Sequence, residues 1–125
     1  MGSKEEAVVR SAVDCYGTGD RDALLDHYAD DATYHVSAWH KPTVGRDAIR
    51  AELDRQFDLV SDYRPTILNI FSQDSLVFVE GIDQFKYSGK DATMHWCSVV
   101  EIDAAGKITK QRDYADSQEL KAQLV

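Results

Sequence analysis

Residues 75–102 read SLVFVEGIDQFKYSGKDATMHWCSVVEI, and this stretch decides the fold. It holds two runs rich in β-branched and aromatic residues, Ser75–Tyr87 and Ala92–Ile102. Between them lies Ser88-Gly89-Lys90, a sequence typical of a tight turn. The stretch therefore predicts a long β-hairpin.

Further strands are predicted on both sides of this hairpin. Thr66–Ser72 precedes it across the turn-forming pair Gln73-Asp74. Lys107–Tyr114 follows it across a turn at Asp103-Ala104-Ala105-Gly106. Four consecutive strands joined by short turns indicate an antiparallel sheet.

The N-terminal half has helical periodicity instead. Ser3 and Glu6 form a capping-box pattern, and the apolar residues that follow predict a helix ending at Gly17 or Gly19. Asp20 is suited to cap a second helix, whose apolar face is Leu24, Leu25 and Tyr28.

A third helix is expected to open at Asp47, with one buried face formed by Ile49, Leu53, Phe57 and Val60. Ala32–Ala38 predicts a short strand before it, and Asp116 or Ser117 is positioned to cap a C-terminal helix. Helices followed by hairpin-linked strands predict an α+β fold, with residues 1–125 forming a single domain.

Composition and charge narrow the function classes. The 125 residues include 14 Lys and Arg against 22 Asp and Glu, a net charge of −8 that argues against nucleic acid or an anionic membrane as a partner. No apolar run is long enough for a membrane span, and the N-terminus lacks the apolar region of a signal peptide, so a cytoplasmic location is expected. Cys15 and Cys97 are expected to be free thiols, with a single disulfide as the alternative.

Strand periodicity predicts which side chains share a face. Asp83 is a carboxylate on a face that is otherwise apolar or blank, and Asp113 points away from both of its neighbours, Arg112 and Tyr114. The residues predicted to share a face with Asp83 are Val79, Gly81 and Phe85; those grouped on one face of the next strand are Met94, Trp96, Ser98 and Val100.

Five short motifs then give the chain a family resemblance. They are Tyr28-Ala29-Asp30-Asp31-Ala32, Val44-Gly45-Arg46-Asp47-Ala48-Ile49, Glu80-Gly81-Ile82-Asp83, Gly106-Lys107-Ile108-Thr109 and Arg112-Asp113-Tyr114-Ala115-Asp116. With the order of the elements, they resemble the nuclear transport factor 2-like superfamily, nearest to its limonene-epoxide-hydrolase-like and SnoaL-like polyketide-cyclase branches, with the ketosteroid-isomerase-like branch as a neighbour. The resemblance implies a cone-shaped curved antiparallel sheet wrapped by N-terminal helices around a deep apolar pocket.

The resemblance also implies catalytic roles. Asp83 matches the acid that protonates an epoxide oxygen, Asp113 matches the base that activates water, and Tyr34 matches a tyrosine that holds this water. Gly81 stands where the epoxide hydrolases have an arginine, and Val36 stands where they have a water-holding asparagine. The missing arginine predicts an enlarged pocket at Gly81.

Two carboxyl groups in one apolar pocket are expected to share a proton, leaving one donor and one acceptor. The other interpretation is that one carboxylate only binds backbone amides. The side chains expected to bind substrate around the pair are Val36, Trp39, His40, Gly81, Phe85, Met94 and Trp96. The four histidines lack the spacing of a metal site, so neither a metal nor a cofactor is expected.

The sequence thus favours a cofactor-independent acid–base enzyme acting on a small hydrophobic molecule, by epoxide opening, cyclisation or proton-transfer isomerisation. A non-catalytic protein that binds such a ligand is the alternative. A homodimer is also expected, because the opposite sheet face would expose apolar residues, namely Phe78, Ile82, Cys97 and Val99.

Overall fold

Over residues 3–36 and 41–124, which the computed structural model describes, the chain forms four helices and one six-stranded sheet. The helices are α1 (Lys4–Thr18), α2 (Arg21–Leu25), α3 (Arg46–Leu59) and α4 (Ser117–Leu124). The strands are β1 (Tyr28–His35), β2 (Thr43–Val44), β3 (Val60–Gln73), β4 (Leu76–Tyr87), β5 (Lys90–Ile102) and β6 (Ile108–Tyr114). The α+β class and the N-terminal position of the helices are confirmed.

The sheet has the strand order β2-β1-β6-β5-β4-β3. Among the described strands, β1 and β6 form a parallel pair, whereas the other four pairings are antiparallel. The expectation of a wholly antiparallel sheet was therefore wrong at one pairing. The parallel pair begins where the Ile108 N–H donates to the His27 carbonyl at 2.7 Å, and it extends to His35 opposite Arg112.

The helix ends follow the capping residues closely. The Ser3 side chain accepts a hydrogen bond from the Glu6 N–H at 3.0 Å, and Asp20 accepts one from the Ala23 N–H at 3.0 Å, as predicted. Helix α1 continues through Gly17 to Thr18, and its C-cap is Gly19, whose φ of 74° is favoured by glycine. Asp116 accepts a hydrogen bond from the Gln118 N–H at the start of α4.

Two residues predicted to be helical belong to strands. Tyr28 is the first residue of β1 and not part of α2, because it pairs with Ile108 of β6. Val60 begins β3 directly after α3 ends, six residues before the predicted start at Thr66. Pro65 lies within β3, which it can do because β3 is an edge strand and carries a register shift between Ser61 and Arg64. The predicted strand Ala32–Ala38 starts earlier, at Tyr28, and its last two residues lie outside the described part.

The core lies between the helices and one face of the sheet. Helix α1 packs against β3 and α3 packs against β1. The largest fully buried side chains include Leu24, Ile49 and Leu53 from the helices and Tyr28 and Tyr34 from β1. None of the helices in the described part of the chain is long and apolar enough to cross a membrane. Cys15 and Cys97 are both free thiols, as predicted.

Helix α4 covers part of the edge of β5. Strand β6 pairs with β5 from Cys97 onward, so the first half of β5 meets α4 on that side. Glu119 accepts a hydrogen bond from the His95 N–H at 2.7 Å. Gln123 accepts from the Thr93 N–H at 2.8 Å and donates to the Thr93 carbonyl at 2.6 Å. Side chains of α4 thus satisfy backbone groups that have no neighbouring strand there.

Candidate functional site

A cavity of about 230 Å³ lies between α1, α3 and the inner face of the sheet. Its walls are mainly apolar, and two carboxylates, Asp83 and Asp113, both face into it. The aromatic side chains that line it are Tyr16, Tyr34, Tyr63 and Trp96. The register of the sheet explains this arrangement, because Asp83, Trp96, Ser98 and Asp113 all fall on the same face.

Asp113 of β6 is held by three neutral donors. Tyr34 donates to Oδ2 at 2.6 Å, whereas Ser98 at 2.6 Å and Gln111 at 3.1 Å both donate to Oδ1. Burial raises the pKa of Asp113, and the hydrogen bonds from these three side chains oppose the rise. Asp113 is therefore a buried carboxyl whose anionic form is stabilised by hydrogen bonds from uncharged side chains.

Asp83 of β4 has two donors. The Tyr63 hydroxyl donates to Oδ2 at 2.5 Å and the Trp96 indole donates to Oδ1 at 2.7 Å. Burial raises the pKa of Asp83 to about 6, the two hydrogen bonds oppose the rise, and the charge of Asp113 adds to it. No hydrogen bond between the side chains of the described residues joins the two carboxylates directly. The pair therefore interacts through its charge across the cavity.

Trp96 and Gly81 lie face to face on adjacent strands. A Cβ atom at position 81 would lie 2.6 Å from Cε2 of the Trp96 indole and 2.8 Å from the Thr66 carbonyl oxygen. The indole therefore fills the space above Gly81, which does not line the cavity. The expectation that glycine enlarges the pocket was wrong. Instead, glycine allows Trp96 to lie across the strand and donate to Asp83.

Tyr34 is fixed by a second set of contacts. Its hydroxyl accepts a hydrogen bond at 3.2 Å from Gln56 Nε2, which also donates to Glu52 at 2.9 Å. Glu52 in turn pairs with Arg55. This chain of contacts on α3 holds the tyrosine in position to donate to Asp113.

The remaining predicted binding residues have three outcomes. Val36, Met94 and Trp96 line the cavity. Phe85 does not: it packs against Tyr63, with 6.2 Å between the ring centroids, and lines a neighbouring cavity of about 200 Å³. Strand periodicity correctly predicted that Phe85 lies on the same face as Asp83, but it did not predict how far along the strand the cavity extends. Trp39 and His40 lie outside the described residues.

Five polar or aromatic residues at the site were not predicted as part of it: Tyr16, Gln56, Tyr63, Ser98 and Gln111. Gln111 is detectable in principle, since it lies two residues before Asp113 and shares its face. Tyr63 was missed because the strand that contains it was predicted to begin only at Thr66. Among the described residues, no group of three or more His, Cys, Asp or Glu side chains is placed to hold a metal ion.

Comparison with known proteins shows the family of the chain. A family model described as a SnoaL-like domain matches residues 9–111. The chain belongs to this family. Asp113 lies just beyond the matched part of the SnoaL-like domain and Asp83 lies within it.

Three solved structures show the same fold as this SnoaL-like domain. One, named as an LEH-like epoxide hydrolase from M. tuberculosis, is 23% identical with a TM-score of 0.82, over 97% of this chain and 90% of that chain. Another, named as a SnoaL-like polyketide cyclase from Shewanella putrefaciens, is 21% identical with a TM-score of 0.88, over 99% and 98% of the two chains. A polyketide-cyclase structure from Xanthomonas campestris is 22% identical with a TM-score of 0.85, over 98% and 97%. These likenesses confirm the curved, helix-wrapped architecture.

Asp83→Asn should make the SnoaL-like domain more stable at pH 8 but not at pH 4. Between pH 4 and 6 the folded carboxyl retains a proton that the unfolded chain releases, so native stability falls as the pH rises through this interval. Asparagine removes this penalty of up to about 3 kcal/mol, while its carbonyl accepts from Trp96 and its amide donates to Tyr63. Thermal melts at both pH values measure the effect. A lower melting temperature at pH 8, or an equal gain at pH 4, would contradict this account of Asp83.

Proposed function

We propose that this SnoaL-like domain is a cofactor-independent acid–base enzyme that acts on a small hydrophobic molecule. The observation that supports the proposal is the pair of carboxylates, Asp83 and Asp113, facing one mainly apolar cavity. A cavity that only bound apolar ligands would gain nothing from two buried carboxyl groups, which are expensive to desolvate.

The hydrogen bonds favour different roles for the two carboxyls. Asp113 accepts three hydrogen bonds, which favour the anion, so it is suited to be the base. Asp83 accepts two and has a pKa raised to about 6, so it is suited to be the acid. Near pH 6, where Asp83 is partly protonated, the pair supplies a proton donor and a proton acceptor at once.

Tyr34 has a positioning role in this proposal. It holds Oδ2 of Asp113 and, through the second lone pair of its hydroxyl, is able to accept a hydrogen bond from a bound water. Trp96 has the corresponding role at Asp83, since its indole N–H fixes Oδ1. It supplies a donor to Asp83 without supplying a positive charge.

Two kinds of reaction fit these roles: opening or cyclisation of an epoxide, and proton transfer beside a carbonyl. They are tested by incubating the protein with a panel of small hydrophobic epoxides and β,γ-unsaturated ketones, with products identified by mass spectrometry. Turnover that depends on both aspartates supports the proposal. Binding of panel members without any turnover would favour the alternative, a non-catalytic ligand-binding protein.

We also propose that two copies associate through the outer face of the sheet. Phe71 is 60% exposed there and stacks on Phe78, and Tyr114 is 40% exposed. Sedimentation equilibrium at micromolar concentration should give twice the 14.0 kDa mass of one chain, and Phe71→Glu should shift it toward a single chain. A native protein that sediments only as a single chain would exclude this dimer.

A cytoplasmic location is part of the proposal, because two free thiols suit a reducing compartment.

A further inference from the structure

The charges at the cavity are of one sign. Of the described residues that line it, the ones that carry charge near neutral pH are Asp83 and Asp113, both negative. We propose that the cavity binds a small organic cation, with a substituted ammonium group held between these two carboxylates and the surrounding aromatic rings. The inference deepens the proposed function by naming the charge of the ligand, and it rests on the same cavity being a ligand site.

Among the described residues, every side chain that donates to the two carboxylates is a neutral group. Asp113 is held by a phenol, an alcohol and an amide, and Asp83 by a phenol and an indole. Neutral donors stabilise an anion but leave its charge uncompensated. An organic cation that takes the place of a proton on the pair compensates one of the two negative charges when both carboxyls are ionised.

The walls of the cavity suit the apolar substituents of such a cation. The rings of Tyr16 and Tyr63 lie 6.3 Å apart at 59° to each other and so form an aromatic corner, and the Trp96 indole lines the same cavity. Burial raises the pKa of both tyrosines, so their rings remain neutral phenols. Neutral aromatic faces attract ammonium groups, and tryptophan does so most strongly.

An anionic ligand fits the cavity poorly. It would lie beside two carboxylates, and the hydroxyl and N–H donors of Tyr34, Tyr63 and Trp96 already point at those carboxylates. A ligand that carries a permanent negative charge would lack free donors to stabilise it. The geometry favours positive charge on the bound molecule.

Affinity for the cation should rise with pH, because the cation competes with a proton. Among the described residues, each carboxyl faces the other carboxyl and a set of titratable tyrosines. These are Tyr16 of α1, Tyr28 and Tyr34 of β1, and Tyr63 of β3. The pKa values of these tyrosines are all raised, so the carboxyl pair is what changes charge between pH 5 and pH 8. Opposite charge nearby in turn lowers the pKa of a carboxyl.

The test compares choline, a permanently charged ammonium ion, with 3,3-dimethylbutan-1-ol, which has the same shape and no charge. Isothermal titration calorimetry of the native protein at pH 8 should show choline binding about tenfold more tightly. The preference should shrink at pH 5. Equal or weaker binding of choline at pH 8, or a preference that grows as the pH falls, would overturn the inference.

Variants locate the interaction. Asp83→Asn and Asp113→Asn should each remove most of the choline preference. Asp31→Asn is the matched control, because it removes the same charge from an exposed position on β1. A choline preference retained in both cavity variants would place the cation elsewhere and refute the site, and the native-protein comparison decides the matter if a variant fails to fold.

These measurements do not use turnover, so they separate the two proposals. A choline preference with turnover that is unaffected in the aspartate variants would sustain the ligand class and refute the acid–base mechanism. Turnover that depends on the aspartates without any choline preference would support the acid–base mechanism and refute the ligand class.

Discussion

Asp113→Asn should lower turnover of whichever panel substrate is active by about 10²–10⁴-fold, the usual contribution of a general base. Asparagine preserves the contacts of the side chain: its carbonyl accepts from Ser98 and Gln111, and its amide donates to the Tyr34 oxygen. What it removes is the ability to take up a proton. The loss should therefore fall on kcat, with little change in KM.

The measurement is steady-state kinetics of both single variants, the double variant and the Asp31→Asn control. Because the two carboxyls act on one proton, the double variant should be little slower than the slower single variant. The melting temperature of Asp113→Asn at pH 8 should be unchanged or higher, since a buried charge is removed. A variant that melts much lower would show that Asp113 is structural, and unchanged kcat would exclude it as the base.

Gly81→Ala should destabilise the native state by about 3 kcal/mol. A methyl group there must displace either the Trp96 indole or the backbone of β3 at Thr66, and overfilling a packed site typically costs about 1–3 kcal/mol. Moving the indole also breaks its hydrogen bond to Asp83, which adds to the loss. Urea denaturation measures the change in the free energy of unfolding.

Gly17→Ala is the matched control for this variant. Its added methyl would meet Pro65 at 3.4 Å, an ordinary contact, and alanine favours the helical conformation of α1. The control should be neutral or stabilising. Trp96→Leu in the Gly81→Ala background should recover part of the stability, because it shortens the obstructing side chain. Equal stability of Gly81→Ala and Gly17→Ala would show that the indole does not lie over Gly81.

Alternation along strands was the most reliable guide to the site. It placed Asp83 and Gly81 on one face of β4 and grouped Met94, Trp96 and Ser98 on one face of β5. The two faces are the same face of the sheet, since Asp83 pairs with Met94 and Gly81 pairs with Trp96. Alternation succeeds here because both strands are long and run without a register shift along their described pairing.

The errors arose where a property depends on more than one strand. The helical pattern that ran through Val60 hid the start of β3, and with it Tyr63, the donor to Asp83. The space above Gly81 depends on a side chain of the neighbouring strand, so the missing arginine alone was misleading. Phe85 shares a face with Asp83 but lies beyond the main cavity, a distance that periodicity does not encode.

The C-terminal helix also bears on how the protein avoids aggregation. The side chains of Glu119 and Gln123 form hydrogen bonds with the backbone groups of Thr93 and His95, on the part of β5 that has no neighbouring strand on that side. A bare strand edge is a template on which another chain can add a strand. The last eight described residues form α4, and although none of them is buried, side chains of this helix cover an edge to which another strand could otherwise bind. Their removal would leave the backbone groups of Thr93 and His95 free to pair with a strand of another chain.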